Sequence, residues 1–187
     1  MNIFQKAKAI IIEPAKFFEK HEEKGVLDAF LYLVVLGLFT VLLGSFVGKA
    51  YLNLMSKMMG GVFEEIPFGF PFILAMALFG YVLLLGMSFV SAGILHLYIM
   101  LLGGKKPYSK TYQLLIYSQT PRLVLGWIPI VSMLAAVWDM ILLIIGTHKI
   151  YKFSTTKSVL MYVIPYFAIM FLVFALAAGT ILSTIMK

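Results

Sequence analysis

The sequence predicts an all-α membrane protein with five transmembrane helices, preceded by an amphipathic interfacial N-terminal segment. Hydrophobic residues make up 62% of the 187 residues, and the mean hydropathy is +1.00. A soluble domain of this size cannot bury so much apolar surface, so a bilayer must solvate it. Most lysines lie before or between the apolar runs, which is typical of cytoplasmic segments. We assign residues 1–25 to the interfacial segment and residues 26–187 to the transmembrane domain.

The N-terminal segment combines apolar residues at helical spacing with lysines. The apolar positions recur over residues 3–11, and Lys6 and Lys8 lie between them. This pattern is typical of a helix that lies along the membrane surface, with its lysines at the lipid headgroups. Pro14 interrupts this helix and suits the first turn of a second one.

The first two spans are predicted at residues 26–48 and 70–102. The first carries Gly37, Gly44 and Gly48 along nearly one face, and small residues let helices approach closely in lipid. We interpret these glycines as packing positions within the chain, and a homodimer contact is the alternative. The second span is longer than the bilayer core requires, so it must tilt, protrude or bend.

The third apolar region, residues 112–128, is interrupted by a proline and by polar side chains. We assign an intramembrane polar cluster to Tyr117, Ser118, Gln119 and Arg122 of this region, together with His96 of the second span and Asp139 of the fourth. The apolar flanks still make the region a candidate span.

The last two spans are predicted at residues 129–147 and 158–186. In the final span, Gly179 belongs to a stripe of small residues that we interpret as a packing face. The loop between the second and third spans contains Lys105 and Lys106, a pair that we expect to attract lipid headgroups.

The distribution of lysines predicts the topology. With five spans, eleven lysines fall on one face and three on the other. The first group is Lys6, Lys8, Lys16, Lys20, Lys24, Lys105, Lys106, Lys110, Lys149, Lys152 and Lys157, and the second is Lys49, Lys57 and Lys187. The lysine-rich face should be cytoplasmic. We therefore expect a multi-pass protein of the cell (plasma) membrane with its N-terminus inside and its C-terminus outside.

Three ionisable residues are predicted to lie at membrane depth, namely His96, Arg122 and Asp139. Arg122 and Asp139 lie at similar depths on either side of the turn between the third and fourth spans, so we predict an ion pair between them. A structural role in fixing this hairpin is our interpretation, and a transport or catalytic role is the alternative. For His96, a hydrogen-bonded interfacial histidine is our interpretation, and a proton or metal role with Asp139 and His148 is the alternative.

The sequence argues against the main classes of membrane enzyme and against nucleic-acid binding. Cysteine is absent, His21-Glu22-Glu23 stops short of a zinc-protease motif, and Asp139 is the only aspartate deep within a span. The net charge of +7 resides largely in cytoplasmic connections. We predict no catalytic residues, no metal site, no cofactor and no nucleic-acid partner.

The order of these features resembles the Yip family of Ypt/Rab-GTPase-interacting membrane proteins, in its prokaryotic form. The matching positions are Pro14, Phe17, Phe18, Gly103, Gly104, Tyr108, Tyr117, Ser118, Pro121, Trp138, Leu142, Gly146 and residues 154–157. The resemblance implies five spans and a cytoplasmic N-terminus. It also implies a role like that of eukaryotic members, which act in vesicle traffic and associate with one another.

We therefore predict a non-enzymatic membrane adaptor or organiser, or a trafficking-like factor. The alternative is a small transporter, channel or lipid-binding protein that uses the polar third span with Arg122 and Asp139. The expected partners are membrane lipids and either further copies of the chain or other membrane proteins. A small GTPase is not expected as a partner, because the long cytoplasmic N-terminal domain of the eukaryotic members has no counterpart in the sequence.

Overall fold

The computed structural model describes residues 1–20, 23, 25–58 and 69–185, with side chains described as far as residue 179. Over these residues the chain is helical and contains no strand. The helices are α1 (Ile3–Ile12), α2 (Pro14–Lys20), α3 (Leu27–Met58), α4 (Phe70–Leu101), α5 (Tyr108–Ser118), α6 (Thr120–Leu125), α7 (Pro129–Tyr151) and α8 (Thr155–Ile185).

Four of the described helices are long and apolar enough to cross a membrane. They are α3, α4, α7 and the part of α8 that ends at Gly179. The helix α3 continues past the predicted end of the first span at residue 48 and stops only at Met58, whereas α4 closely matches its predicted bounds. The predicted end of the last span, residue 186, lies outside the described residues.

The predicted third span, residues 112–128, is divided into α5 and α6, which contain only 11 and 6 residues. The division has a local cause. Pro121 has no N–H to donate to the carbonyl of Tyr117 four residues earlier. The Thr120 hydroxyl donates to that carbonyl instead, at 2.7 Å. The helix therefore breaks at Gln119 without leaving this carbonyl unsatisfied.

The broken segment runs alongside α3 in the same direction. Near the start of α3, the Tyr32 hydroxyl lies 2.9 Å from the Thr120 hydroxyl. Two turns further along, the Thr40 hydroxyl donates to the carbonyl of Leu123. The chain therefore leaves α6 at a distance from the end at which α3 begins.

Four helix ends meet on the side of the bundle where α3 begins. The Tyr151 hydroxyl at the end of α7 lies 2.6 Å from the Thr111 hydroxyl at the start of α5. The Lys157 ammonium group in α8 donates to the carbonyl of Leu102, immediately after α4, at 2.5 Å. The ends of α4 and α7 and the starts of α5 and α8 are thus close together.

The N-terminal helices pack against the bundle. In α1 the side chains of Lys6, Ala7 and Ile10 are buried, and in α2 those of Phe17 and Phe18 are buried. The contacts of α2 are mainly with α7, while α1 reaches α5 and α6. The N-terminal segment predicted to be interfacial thus consists of two helices that dock on the bundle.

The predicted packing glycines differ in their surroundings. A Cβ atom at Gly37 would lie only 2.9 Å from the ring of Tyr81, so this glycine permits the close approach of α3 and α4. A Cβ atom at Gly44 would lie 3.8 Å from Trp127, which is an ordinary van der Waals contact. Among the described residues, no neighbouring atom lies within 4 Å of the corresponding position at Gly48 or Gly179, so packing at these two glycines stays a prediction.

Gly146, the single glycine of α7, is not among the predicted packing glycines, yet it is closely packed. A Cβ atom there would overlap Leu114 of α5 and lie 3.2 Å from the ring of Phe18. Gly146 therefore lets α2 and α5 approach α7 together. Its sequence neighbours form no small-residue stripe, so the sequence carried no packing signal at this position.

Candidate functional site: two polar centres on the divided segment

The polar side chains of the divided segment point in different directions. Successive residues of a helix are rotated by about 100°. Tyr117 accordingly faces α1 and α3, where it packs against Tyr32, whereas Ser118, Gln119 and Arg122 line a cavity beside α7 and α8. The single intramembrane cluster predicted from the sequence is therefore separated into two centres.

The first centre joins Lys6, Glu23 and Tyr117. The Lys6 ammonium group forms an ion pair with Glu23 Oε1 and lies 3.3 Å from the Tyr117 hydroxyl. That hydroxyl donates to Glu23 Oε2. The side chains of Lys6 and Glu23 are only 10% and 19% exposed. We call these residues the N-terminal triad.

The burial of Lys6 corrects its predicted place at the lipid headgroups. Its ammonium group lies 5.2 Å from the centre of the Tyr117 ring and 5.9 Å from that of Tyr32, within the range of cation–π attraction. The physical reason is that Lys6 lies on the buried stripe of α1, beside Ala7 and Ile10. Lys8 remains exposed, as expected for a residue near headgroups.

Residues of α5 also hold the link between α2 and α3. The side-chain amide of Gln113 donates to the carbonyls of Gly25 at 2.5 Å and Glu23 at 3.2 Å. The Lys110 ammonium group donates to the same Glu23 carbonyl at 3.0 Å. Side chain and backbone of Glu23 are thus both fixed by α5, which ties the N-terminal segment to the bundle.

The second centre is the Arg122–Asp139 ion pair, which forms as the sequence predicted. Arg122 Nε lies 2.8 Å from Asp139 Oδ2. The backbone N–H of Arg122 also donates to Oδ1 at 3.3 Å. This N–H lies in the first turn of α6, where backbone N–H groups have no carbonyl partner within the helix. Asp139 thus neutralises the guanidinium and caps the helix that the break creates.

The two partners of this pair differ in burial. The Asp139 side chain is 7% exposed, whereas that of Arg122 is 56% exposed. Arg122 therefore presents part of its guanidinium to a cavity of about 720 Å³. The cavity is lined by Leu115, Ser118, Gln119, Arg122, Met133, Ala136, Val137, Asp139, Met140, Leu143, Tyr162 and Tyr166. An apolar cavity with a few convergent polar groups is the usual form of a small-molecule site.

His96 lies apart from both centres. Its Nδ1 is 2.7 Å from the Thr111 hydroxyl, and its ring contacts the edge of Tyr108 at 5.8 Å between centroids. His148 lies elsewhere, with Nδ1 2.6 Å from the carbonyl of Phe153. Within the described part of the chain, no three His, Asp or Glu side chains are grouped to hold a metal ion. The contacts of His96 are those of a hydrogen-bonded histidine near a helix end.

Comparison with known proteins identifies the family. A family model of the Yip1 domain matches residues 8–177, which is most of the chain. No curated protein and no solved structure matches the chain. The matched region contains α3, α4, α5, α6 and α7 in full, together with both Arg122 and Asp139. The chain is an integral membrane protein that belongs to the Yip1 domain family.

Proposed function

We propose that this protein is a non-enzymatic membrane adaptor or organiser that acts on the cytoplasmic leaflet through its N-terminal helices. The observation that carries the proposal is the outer face of α1. Phe4, Lys8 and Ile12 follow one another at intervals of four residues and so form one stripe. Phe4 and Ile12 are 74% and 63% exposed, although both are large and apolar. Such a stripe suits insertion between lipid headgroups.

The N-terminal triad supports this proposal because it fixes the helix that carries the stripe. Lys6 lies on the opposite face of α1 and is paired with Glu23 inside the protein. The stripe is therefore held at a constant position relative to the bundle. A fixed amphipathic helix in one leaflet displaces lipid on that side only, which is a means of shaping or organising a membrane.

Polar substitution of the stripe is expected to weaken the effect of the protein on vesicle shape. In liposomes at equal protein-to-lipid ratio, we expect Phe4→Gln/Ile12→Gln to shift the mean diameter, measured by electron cryomicroscopy, back towards that of protein-free liposomes. Both side chains are exposed, so the fold should be retained. The control is Ala15→Gln, an exposed site of α2 that contributes no large apolar group. Unchanged diameters in the double variant, or an equal loss in the control, would contradict the proposal.

We further infer that the chain crosses the bilayer five times, with α5 and α6 together forming one broken crossing. The argument rests on the helix ends that meet near Tyr151 and Leu102. The helix α7 ends there and is long enough to span the membrane, so its start must lie at the opposite face. Only α5 and α6 connect the two faces at that point. Together with the lysine distribution, five crossings support an N-terminus in the cytoplasm and a C-terminus outside, in a protein of the plasma membrane.

A second candidate function is the binding of a lipid or another small amphiphile in the cavity beside Arg122. It is favoured by the half-exposed guanidinium within an otherwise mostly apolar cavity of about 720 Å³. Such a site suits a molecule with an apolar body and a polar or anionic end. Pairing with Asp139 holds the guanidinium in place while leaving part of it open to a ligand.

Filling this cavity is expected to reduce the amount of lipid that remains bound. Ala136 lines the cavity, and we expect Ala136→Phe to lower the number of lipids retained on the detergent-purified protein, counted by native mass spectrometry. The matched control is Ala75→Phe, at an exposed position of α4 outside the cavity. Equal retention in both variants would exclude the cavity as the binding site.

A further inference from the structure

Four lysines from separate parts of the chain converge on one cavity at the end of the bundle where α4 and α7 finish. Lys106 lies in the loop before α5, Lys110 in α5, Lys149 in the last turn of α7 and Lys152 immediately after it. The cavity has a volume of about 240 Å³, and its other lining residues are Phe18, Glu19 and Ile150. The cavity lies where α2 docks on α7.

Two of these lysines are held in position by neighbouring groups. The Lys110 ammonium group donates to the carbonyl of Glu23 at 3.0 Å, and that of Lys149 lies 3.4 Å from a carboxylate oxygen of Glu19. Lys152 follows α7 with a left-handed backbone (φ 57°), which turns the chain sharply at this edge. The ammonium groups of Lys110 and Lys149 are therefore held at the cavity, while the side chains of Lys106 and Lys152 are exposed.

Among the described residues that line the cavity, positive charges outnumber negative ones. Glu19 is the only carboxylate among the described residues that line it, against four ammonium groups. Like charges brought together repel one another, and this repulsion is relieved by a bound anion. Lysines near a helix C-terminus also compensate the helix dipole, which accounts for Lys149 and Lys152. Lys110 is placed by its contact with the carbonyl of Glu23, whereas Lys106 belongs to the loop before α5 and is not explained by the helix end.

We propose that this cavity binds a phosphate group, carried either by a membrane lipid or by a phosphate compound in solution. Lysines are common phosphate ligands because each ammonium group offers three donors on a flexible stem. A phosphate has several oxygens around one centre, which matches donors that arrive from different sides. The floor contains Phe18, which is 4% exposed, so water is excluded on that side and the electrostatic attraction is strengthened.

The test compares two lysines that are neighbours in sequence. Lys106 lines the cavity, whereas Lys105 does not, and both are exposed. We expect Lys106→Glu to weaken phosphate binding by about tenfold or more, as when a charged hydrogen-bond partner is lost. Lys105→Glu changes the net charge equally and should change the affinity by less than about twofold at physiological salt. Glu19→Gln should tighten binding by roughly twofold, since it removes the competing carboxylate.

Two binding measurements on the full chain distinguish the sources of phosphate. Calorimetric titration of inorganic phosphate and pyrophosphate into nanodiscs of phosphatidylcholine tests the soluble source. Native mass spectrometry of the detergent-solubilised protein with phosphatidic acid, against phosphatidylcholine, tests the lipid source. Binding that depends on Lys106 in either measurement supports the proposal and names the source. Absence of binding in both, or equal effects of Lys105→Glu and Lys106→Glu, overturns it. Thermal unfolding of each variant verifies the fold.

Discussion

Replacing Glu23 with glutamine is expected to destabilise the protein strongly, by about 3 kcal/mol in the free energy of unfolding. The substitution keeps the size of the side chain but removes its charge. Lys6, only 10% exposed, would then retain a buried ammonium group without its counterion. The hydrogen bond from the Tyr117 hydroxyl to the carboxylate would also be weakened. Reversible unfolding in mixed micelles, by titration of dodecyl sulfate, measures this loss.

The matched control for this prediction is Glu13→Gln. Glu13 also pairs with a lysine of the N-terminal segment, Lys16, at 2.6 Å, but the two side chains are 54% and 62% exposed. Exposed ion pairs contribute little, so we expect Glu13→Gln to lower the free energy of unfolding far less than Glu23→Gln does. Similar losses in the two variants would mean that burial of the N-terminal triad does not stabilise the fold.

Removing the charge of Arg122 is expected to produce the second large effect. Arg122→Gln leaves the carboxylate of Asp139, which is 7% exposed, without its counterion at membrane depth. Removing one partner of a buried ion pair lowers the free energy of unfolding by about 3 kcal/mol. Asp139→Asn should cost less, about 2 kcal/mol, because the half-exposed guanidinium keeps access to the cavity and an amide oxygen still accepts from the backbone of α6.

The double variant Arg122→Gln/Asp139→Asn tests whether the two charges act as a pair. With both charges absent, no uncompensated ion remains, so we expect it to be more stable than Arg122→Gln alone. The interaction energy between Arg122 and Asp139, obtained from the double-mutant cycle, should exceed about 1 kcal/mol. If the losses of the two single variants sum to that of the double variant within about 0.5 kcal/mol, the 2.8 Å contact does not couple the two residues energetically.

Much of the fold could be predicted from the sequence because hydrophobic runs report directly on lipid exposure. The four candidate crossing helices all fall within predicted spans or extend them. The division of the third span was harder to predict. The sequence revealed Pro121 and the polar residues around it, but not that the Thr120 hydroxyl would take over the carbonyl of Tyr117 and allow a complete break. Local hydrogen bonds of this kind depend on side-chain geometry.

The two polar centres were not equally predictable. Arg122 and Asp139 are close in sequence across a short turn, so their relative depth followed from the rise per residue of a helix. Lys6 and Tyr117 lie 111 positions apart. No local pattern joins them, and only the docking of α1 on α5 brings them together. The sequence offered one signal, which is that Lys6 shares a helical stripe with Ala7 and Ile10.

Glycine spacing was an incomplete guide to helix contacts for a related reason. Spacing shows which glycines share a helix face, but not whether that face meets another helix or lipid. Gly37 contacts α4, whereas no described neighbour lies near Gly48 or Gly179. The contact at Gly146 involves both α2 and α5, and it could be recognised only once these helices had been placed.

If α5 and α6 together cross the membrane, as we propose, the chain has five crossings and the two ends of this segment lie on opposite faces. The natural chain has no cysteine, so single cysteines can be introduced at Lys105, before α5, and at Ile128, after α6. A membrane-impermeant maleimide applied to intact cells should label Ile128→Cys directly and Lys105→Cys only after permeabilisation. The same labelling behaviour at both positions would contradict the claim.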